Sequence, residues 1–203
     1  MDYSVTLVLI FTLSILLSSS LLDFSTYGLT DLQSQQGQQL TKYVDPIGRF
    51  TINYPASWII SPLPEIYKLD ENIQEDIAAE FKFEGDEGWW KSFNLLIKQL
   101  TDDEPKELRA LSDYTIAHTI PRLPEGQIEE PTECERYKVQ GNKACSFIIS
   151  MKLDPIIDQK GIIMQVTTLL NGTAYFFSYG NTPGDFDKDL PMIEQMIASF
   201  RLT

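Results

Sequence analysis

Five carboxylates cluster in the first half of the sequence, where they could bind a divalent cation. They are Asp70, Glu71, Glu75, Asp76 and Glu80. A hard cation such as Ca²⁺ needs several convergent oxygen ligands, and this segment has no motif that would bring its carboxylates together. The sequence therefore predicts either a calcium or manganese site that includes Asp70, Glu71, Glu75 and Asp76, or a solvated acidic surface. It indicates no other cofactor.

Two adjacent tryptophans, Trp89 and Trp90, lie in the loop of a predicted hairpin. Successive residues of a strand face opposite sides of a sheet, so neighbouring indoles do not easily reach one core. Exposed indoles are frequent anchors of protein interfaces, and we therefore predict that Trp89 and Trp90 bind a partner. The alternative is that the loop folds back and buries both rings against the sheet edge.

Residues with the usual catalytic chemistry are sparse. His118 is the single histidine, and no serine or cysteine motif accompanies it. It lies near the C-terminal end of a predicted helix, where a positive charge is favourable. Asp185, Asp187 and Asp189 begin like a calcium loop, but Leu190 stands where that loop requires glycine, so we interpret them as helix caps. We predict that the protein is not an enzyme; a carboxylate-based hydrolase is the alternative.

Cys134 and Cys145 are the two cysteines of the chain, and in an exported protein such a pair suggests a disulfide. The predicted hairpin argues against it. A turn at residues 141–142 places Cys145 opposite Lys138, which leaves Cys134 four residues further along, about 13 Å away. A disulfide needs Cα atoms within about 7 Å, so the bond requires residues 131–135 to form a loop. Both outcomes are open.

A glycosylation sequon occupies a predicted hairpin turn. Asn171, Gly172 and Thr173 match the acceptor pattern, and Asn-Gly between two apolar runs is a strong signal for a two-residue turn. We therefore predict that Asn171 is exposed and could accept a glycan in an organism that glycosylates exported proteins.

The N-terminal segment predicts export from the cytoplasm. Residues 5–22 contain no charged side chain and are mostly apolar. The length of this segment is at the lower limit for a membrane-spanning helix and is also compatible with a signal peptide. Residues 23–42 include a Gln-rich run with the composition of a tether. The protein is predicted to be extracytoplasmic, either secreted or anchored in the cytoplasmic membrane by residues 5–22, with the globular domain at residues 43–203.

The net charge restricts the classes of partner. Sixteen lysines and arginines against 29 aspartates and glutamates give a formal charge of −13. Nucleic-acid binding requires clustered cations, so it is excluded as a function. The same charge disfavours anionic lipid head groups, and basic partners or soluble cations are the electrostatically favoured ones.

Apolar alternation and turn residues predict an antiparallel sheet. The expected strands are residues 50–54, 58–60, 79–83 and 93–100, with further strand pairs at residues 128–152 and 162–179. The last pair carries bulky groups on both faces, with Val166 opposite Phe177 and Thr167 opposite Phe176, so it should lie inside a sheet that is covered on both sides.

Two helices are predicted to cover this sheet. The first has Asp103 as its cap, starts at Pro105 and ends before Pro121. The second carries an apolar stripe formed by Phe186, Leu190, Ile193, Ile197 and Phe200. Pro191 lies in its first turn or kinks it. The predicted class is α+β, an antiparallel sheet of about six to seven strands with helices packed on its faces.

Three short segments of the chain occur in a characteristic order and spacing. They are Phe50-x-Ile52-x-Tyr54-Pro55-x-x-Trp58, Val139-x-Gly141-x-x-Ala144 and Met196-Ile197-x-Ser199-Phe200. On these motifs the chain resembles the PsbP-like family over about residues 43–203. The resemblance implies an antiparallel sheet between helices, an α/β/α sandwich. Members are extracytoplasmic, either extrinsic subunits of the oxygen-evolving photosystem or secreted and membrane-tethered prokaryotic proteins. The chain lacks a plastid transit peptide, so the resemblance points to the non-photosynthetic type.

The residues and the resemblance together predict a non-catalytic extracytoplasmic binding or accessory module. It would act through a sheet edge or loop surface that includes Trp89 and Trp90. The expected partner is an unidentified protein or membrane complex. Divalent-cation binding and carboxylate-based hydrolysis are the alternative functions.

Overall fold

The computed structural model describes residues 39–61, 75–83, 91–154 and 159–203. Within these ranges the chain forms a large and a small antiparallel sheet and two α-helices. The predicted N-terminal segment at residues 5–22 lies outside the described residues. Among the described residues, no helix has the length and apolar character needed to cross a bilayer.

The small sheet brings the two ends of the domain together. It consists of β1 (Leu40–Val44), β2 (Phe50–Pro55) and the two-residue β10 (Arg201–Leu202), with β2 in the centre. The sheet begins at Leu40, three residues before the domain start expected at residue 43. Phe50 and Ile52 are fully buried on its inner face, as the alternation in β2 predicts.

The large sheet has seven strands in the order β3-β4-β5-β9-β8-β7-β6. They are β3 (Trp58–Ser61), β4 (Glu75–Phe83), β5 (Ser92–Gln99), β6 (Gln127–Val139), β7 (Asn142–Asp154), β8 (Gln159–Leu170) and β9 (Thr173–Asn181). Every neighbouring pair is antiparallel. The predicted antiparallel sheet of six to seven strands is therefore confirmed.

The turn between β8 and β9 is the predicted one. Asn171 and Gly172 both have positive φ, 53° and 80°, as a type I′ turn requires. Val166 pairs with Phe177 and Thr167 with Phe176, and all four side chains are buried. The prediction that this hairpin lies inside a sheet covered on both faces is confirmed.

The turn between β6 and β7 lies one residue earlier than predicted. Val139 pairs with Asn142, so the turn is formed by Gln140 and Gly141, with φ of 52° and 80°. Glycine occupies the second turn position, as Gly172 does in the other hairpin. Val139 and Ala144, which face the same side in this register, both lie in the core.

Helix α1 (Leu108–Thr119) starts later than predicted. Its N-cap residue is Glu107, without a side-chain capping bond, so Asp103 is not the cap and Pro105 lies outside the helix. The reason is a separate turn in which Glu104 Oε2 accepts hydrogen bonds from Thr101 N and Oγ1, both at 3.0 Å. Glu104 is buried with Lys98 at 2.7 Å, and this turn uses the residues expected to start the helix.

Helix α2 (Pro183–Ser199) carries the predicted apolar stripe. Phe186, Ile193 and Ile197 are buried on it, and Phe200 is fully buried just after its end. Pro191 lies inside the helix instead of in the first turn, and the N-cap residue is Thr182 without a side-chain bond. The interpretation of Asp185, Asp187 and Asp189 as caps is therefore wrong, because the helix begins before them at Pro183.

The two helices lie on opposite faces of the large sheet. Helix α2 and the small sheet share the main core with one face, including Phe177 and Phe200. Helix α1 packs on the other face, where Ile116 joins Phe147 and Leu111 joins Phe176 in two smaller clusters. This arrangement confirms the predicted fold class.

Candidate binding surface

The β3 edge of the large sheet exposes apolar side chains on both of its faces. In the described part of the chain, β3 pairs only with β4. Ile59 is 44% exposed and Ile60 is 40% exposed, and as consecutive strand residues they face opposite sides. Trp58, which begins the strand, is buried in the main core. An edge strand offers unpaired backbone groups to an added strand, so this edge can accept an extended peptide.

The opposite edge of the sheet is protected. Strand β6 contains Pro131 and four glutamates, and its register against β7 shifts at three places. Charges, proline and bulges are the devices by which edge strands avoid pairing. Ile128 is 50% exposed on this edge. Both edges therefore expose isoleucine side chains. Of the two edge strands, only β3 is regular and free of charged residues.

A polar cluster supports the corner of the sheet beside β3. Asp189 Oδ2 accepts hydrogen bonds from Tyr179 OH at 2.7 Å and from Asn181 Nδ2 at 2.9 Å, and it lies 2.9 Å from Lys91 Nζ. Asn181 Nδ2 also lies 2.8 Å from Tyr179 OH. Burial and the bond to Asp189 raise the pKa of the Tyr179 hydroxyl, so this hydroxyl stays a donor at neutral pH. The cluster joins the residue before β5 to β9 and α2.

Lys91 also contacts the aromatic side chains next to β3. Its Nζ lies 4.6 Å from the ring centroid of Phe83 and 6.0 Å from that of Trp58, distances at which a cation is attracted to the ring face. The amide of Phe83 donates to the Lys91 carbonyl at 3.3 Å. Lys91 thereby fixes the end of the chain segment that carries the predicted binding tryptophans.

Trp89 and Trp90 themselves lie outside the described residues, which end at Phe83 and resume at Lys91. The described residues on either side show where this segment joins the sheet. Phe83 pairs with Trp58 of β3, so residues 84–90 connect to the sheet at the same corner as the β3 edge. The partner-binding role of the two tryptophans stays a prediction.

The predicted cation site is only partly within the described residues. Asp70 and Glu71 lie outside them, whereas Glu75 and Asp76 lie in β4 opposite Lys98 and Ile97. Throughout residues 39–61, 75–83, 91–154 and 159–203, no three Asp, Glu, His or Cys residues come together as a metal site. Calcium or manganese binding at the acidic segment stays a prediction.

Cys134 and Cys145 form a disulfide in the structure, with Cα atoms 3.9 Å apart. A bulge in β6 makes this possible. Glu133 pairs with Ser146 and Tyr137 with Ala144, so Cys145 alone faces the three residues 134–136. The distance of about 13 Å expected between Cys134 and Cys145 assumes a regular hairpin ladder. The bulge brings Cys134 closer to Cys145 than such a ladder allows.

Asn171 is exposed at the tip of the β8–β9 hairpin. Thr173, the third residue of the sequon, is buried, and its Oγ1 accepts a hydrogen bond from Gln99 Nε2 at 2.7 Å. A transferase would therefore have to act before this hairpin closes. Glycan attachment at Asn171 stays a prediction.

A cavity of about 560 Å³ opens at the end of β5, lined by Gln99, Leu100, Thr101 and Asp102. A carboxylate-based hydrolase needs two carboxylates whose pKa values are pushed apart, and this lining contains one. The described carboxyl groups whose pKa departs clearly from its ordinary value, Asp45, Asp103, Glu104, Glu129 and Asp185, are all shifted downward. His118 lies in the last turn of α1, with Nδ1 2.8 Å from the Tyr114 carbonyl oxygen.

Sequence reasoning missed the cluster around Asp189. Its residues come from β9, α2 and the start of β5, and no local motif unites them. The available signal was the pair Tyr179-x-Asn181 at the end of an apolar strand, where two polar side chains on one face require a buried partner.

No protein-family model and no curated protein sequence matches this chain. Solved structures do match it. The solution structure of the cyanobacterial PsbP protein CyanoP from Synechocystis is similar over 86% of this chain and 99% of that one, with 12% identity and a TM-score of 0.57. LpqN of Mycobacterium tuberculosis, described as involved in cell envelope biogenesis, covers 81% of this chain and 91% of its own, with 14% identity and a TM-score of 0.52.

A third similar structure comes from Bacteroides thetaiotaomicron. It covers 80% of this chain but 48% of its own, with 13% identity and a TM-score of 0.50. At these identities the similarity concerns the fold. The two sheets, the packing of helices on both faces and the match to CyanoP along almost its whole length show that this chain has the PsbP-like fold.

Proposed function

We propose that this protein is a non-catalytic, extracytoplasmic binding or accessory module that docks a partner protein along its β3 edge. The observation that carries the proposal is the contrast between the two edges of the large sheet. Strand β3 exposes Ile59 and Ile60 on opposite faces of an uncharged edge, whereas β6 is bulged and acidic. An extended segment of a partner would add to β3 through backbone hydrogen bonds, and its successive side chains, which face opposite sides of the sheet, would cover Ile59 and Ile60.

The surface at β3 alone would give a weak complex. Ile59 and Ile60 are already about half buried, so covering the rest of each contributes about 1 kcal/mol. Tight binding needs large anchors near the centre of an interface. Trp89 and Trp90 belong to the segment that leaves the sheet at the same corner, and we assign them this role.

The polar cluster around Asp189 supports this surface from behind. Lys91, at the end of the segment with the tryptophans, is fixed to α2 by the ion pair at 2.9 Å. When the attachment point of a segment is held in place, the residues of that segment lose less entropy on association. Lys91 therefore acts as a positioning residue for the docking corner.

Two features support an extracytoplasmic location. A disulfide between Cys134 and Cys145 fits an oxidising compartment, because cytosolic thiols are normally kept reduced. Residues 5–22 have the composition of a signal peptide or anchor. We propose that the domain is secreted or tethered at the outer side of the cytoplasmic membrane, and that its partner is a protein or membrane complex there.

Photocrosslinking of the full chain in membranes of its source cell tests this function. A photoreactive amino acid at position 59 should give a discrete adduct with a partner, and the same probe at position 128, which is slightly more exposed on the opposite edge, should not. The adduct at position 59 should also decrease when Trp89 and Trp90 are changed to alanine. Equal adducts at positions 59 and 128, or none at position 59, would refute docking at β3.

A further inference from the structure

The turn between β1 and β2 exposes apolar side chains where polar residues are usual. Ile47 is 74% exposed and Val44 is 55% exposed. The turn contains three residues of types that favour a tight turn, Asp45, Pro46 and Gly48. Ile47 has no such role in the turn, so its exposure calls for an explanation outside the turn itself.

The turn is rigid. Gly48 N donates to the Asp45 carbonyl at 2.8 Å, and Asp45 N donates to the Phe50 carbonyl at 3.0 Å. The buried Asp45 carboxylate accepts hydrogen bonds from Arg49 N at 3.0 Å and Arg49 Nε at 2.9 Å. From the C-terminal side, Thr203 N donates to the Arg49 carbonyl at 3.2 Å. The backbone that carries Ile47 is therefore held by hydrogen bonds on both sides, and binding of Ile47 needs little ordering of the turn.

Cations flank these apolar side chains. Val44 and Arg201 both pair with Thr51 and thus share the outer face of the small sheet, and Lys42, two residues before Val44, lies on the same face. Lys42 and Arg201 are exposed. Residues 40–55 and 201–203 contain three cationic side chains and one acidic side chain, Asp45, which is paired with Arg49, in a chain with a net charge of −13.

We propose that Lys42, Val44, Ile47 and Arg201 form a membrane-contact tip that docks on an anionic lipid surface. Exposed apolar side chains beside cations match the two halves of a bilayer interface, because the apolar groups enter the head-group boundary and the cations attract anionic lipids. The acidic remainder of the surface is repelled, which orients the domain with this tip toward the bilayer. The overall negative charge disfavours anionic lipids, but the local charge of the tip has the opposite sign.

The length of the preceding chain permits this contact. The inference rests on the proposed placement of the domain at the outer side of a membrane by residues 5–22. Residues 23–39 can span at most about 61 Å when fully extended, and β1 covers about 17 Å between the end of this tether and the turn. The tip can therefore reach the bilayer from which the tether begins.

A local fluorescence probe in the full chain tests the tip. An environment-sensitive amino acid is placed at position 47, or at position 128 as the control, and each chain is reconstituted with vesicles of phosphatidylcholine alone or with phosphatidylglycerol. We expect a blue shift and protection from iodide quenching at position 47 on the anionic vesicles and no change at position 128. Lys42→Gln should lower the ratio of lipid-bound to free tip about fivefold.

The outcomes separate the tip from the anchor. If the chain sediments with vesicles but position 47 is as accessible to iodide as position 128, the proposed membrane contact of the tip is wrong. Protection of position 47 in native membranes but not on protein-free anionic vesicles would also overturn it, in favour of an acidic protein. If the chain fails to sediment with neutral vesicles but position 47 is protected on anionic ones, the tip is supported and only the anchor fails.

Discussion

The ammonium of Lys91 lies 2.9 Å from Asp189 Oδ2 and joins the start of β5 to helix α2. Tyr179 and Asn181 direct their donors at the same carboxylate oxygen. One carboxylate therefore connects the corner that carries the proposed docking surface to the helix that covers the main core.

Asp189→Ala should destabilise the protein by about 3 kcal/mol, because it leaves Lys91 without its counter-charge and the buried Tyr179 hydroxyl without its acceptor. Chemical denaturation measures this. Asp187→Ala, an exposed aspartate on the same helix, is the matched control and should change the free energy of unfolding by less than about 0.5 kcal/mol. Equal effects of the two substitutions would show that the cluster is not structural.

Acid should destabilise the protein partly through Glu104. Burial acts to raise the pKa of this carboxyl, but hydrogen bonds from Lys98 and Thr101 outweigh it and lower the pKa below its ordinary value. A lowered folded-state pKa stabilises the fold above the unfolded pKa of about 4.3, and this contribution is lost as the pH falls through the folded pKa.

Glu104→Gln should therefore be less stable than the wild type at neutral pH and should lose less stability on acidification. Denaturation between about pH 3 and pH 7 checks this, because the range spans the unfolded pKa. A Glu104→Gln variant with the same acid dependence as the wild type would mean that Glu104 does not contribute to it.

Replacing both Cys134 and Cys145 by alanine should cost about 3 kcal/mol, the loop-closure contribution expected for a sequence separation of 11 residues. Non-reducing peptide mapping first establishes the bond, and denaturation of the variant with and without reductant measures its contribution. Reductant should destabilise the wild type and leave the variant unchanged. Free thiols in the exported wild type would contradict the disulfide.

Phe200→Ala should cost about 3 to 5 kcal/mol as a core truncation. Its ring is fully buried and lies 5.2 Å from the ring centroid of Phe177 and 5.5 Å from that of Phe50. Leu202→Ala, two residues further and only partly buried, should cost less. If denaturation showed a loss below about 1 kcal/mol for Phe200→Ala, α2 would not close the core as described.

The sequence predicts those parts of the fold that depend on local patterns. Asn171-Gly172 sets the β8–β9 turn and hence the pairing of Val166 with Phe177, because a type I′ turn fixes the register. The apolar stripe of α2 is likewise local. The start of α1 was not predictable in this way, since it depends on the contact of Glu104 with Lys98, which lies in β5.

The site depends more strongly on contacts between distant residues. The bulge in β6 that brings Cys134 to Cys145 shortens a ladder which sequence alternation assumes to be regular. Asp189 resembles a helix cap in isolation and becomes a cluster centre only when β9 and the residue before β5 reach it. The edge position of β3 follows from strand order, which no single segment specifies.

Amide hydrogen exchange at β3 tests the central claim most directly. The exchange rates of the full chain in detergent are compared with those in membranes that contain the partner identified by photocrosslinking. We predict that the amides of residues 58–61 that point away from β4 become protected in the membranes, because strand addition pairs them with the partner, while those of β6 are unchanged. Unchanged exchange at residues 58–61 in the presence of the partner would contradict docking at the β3 edge.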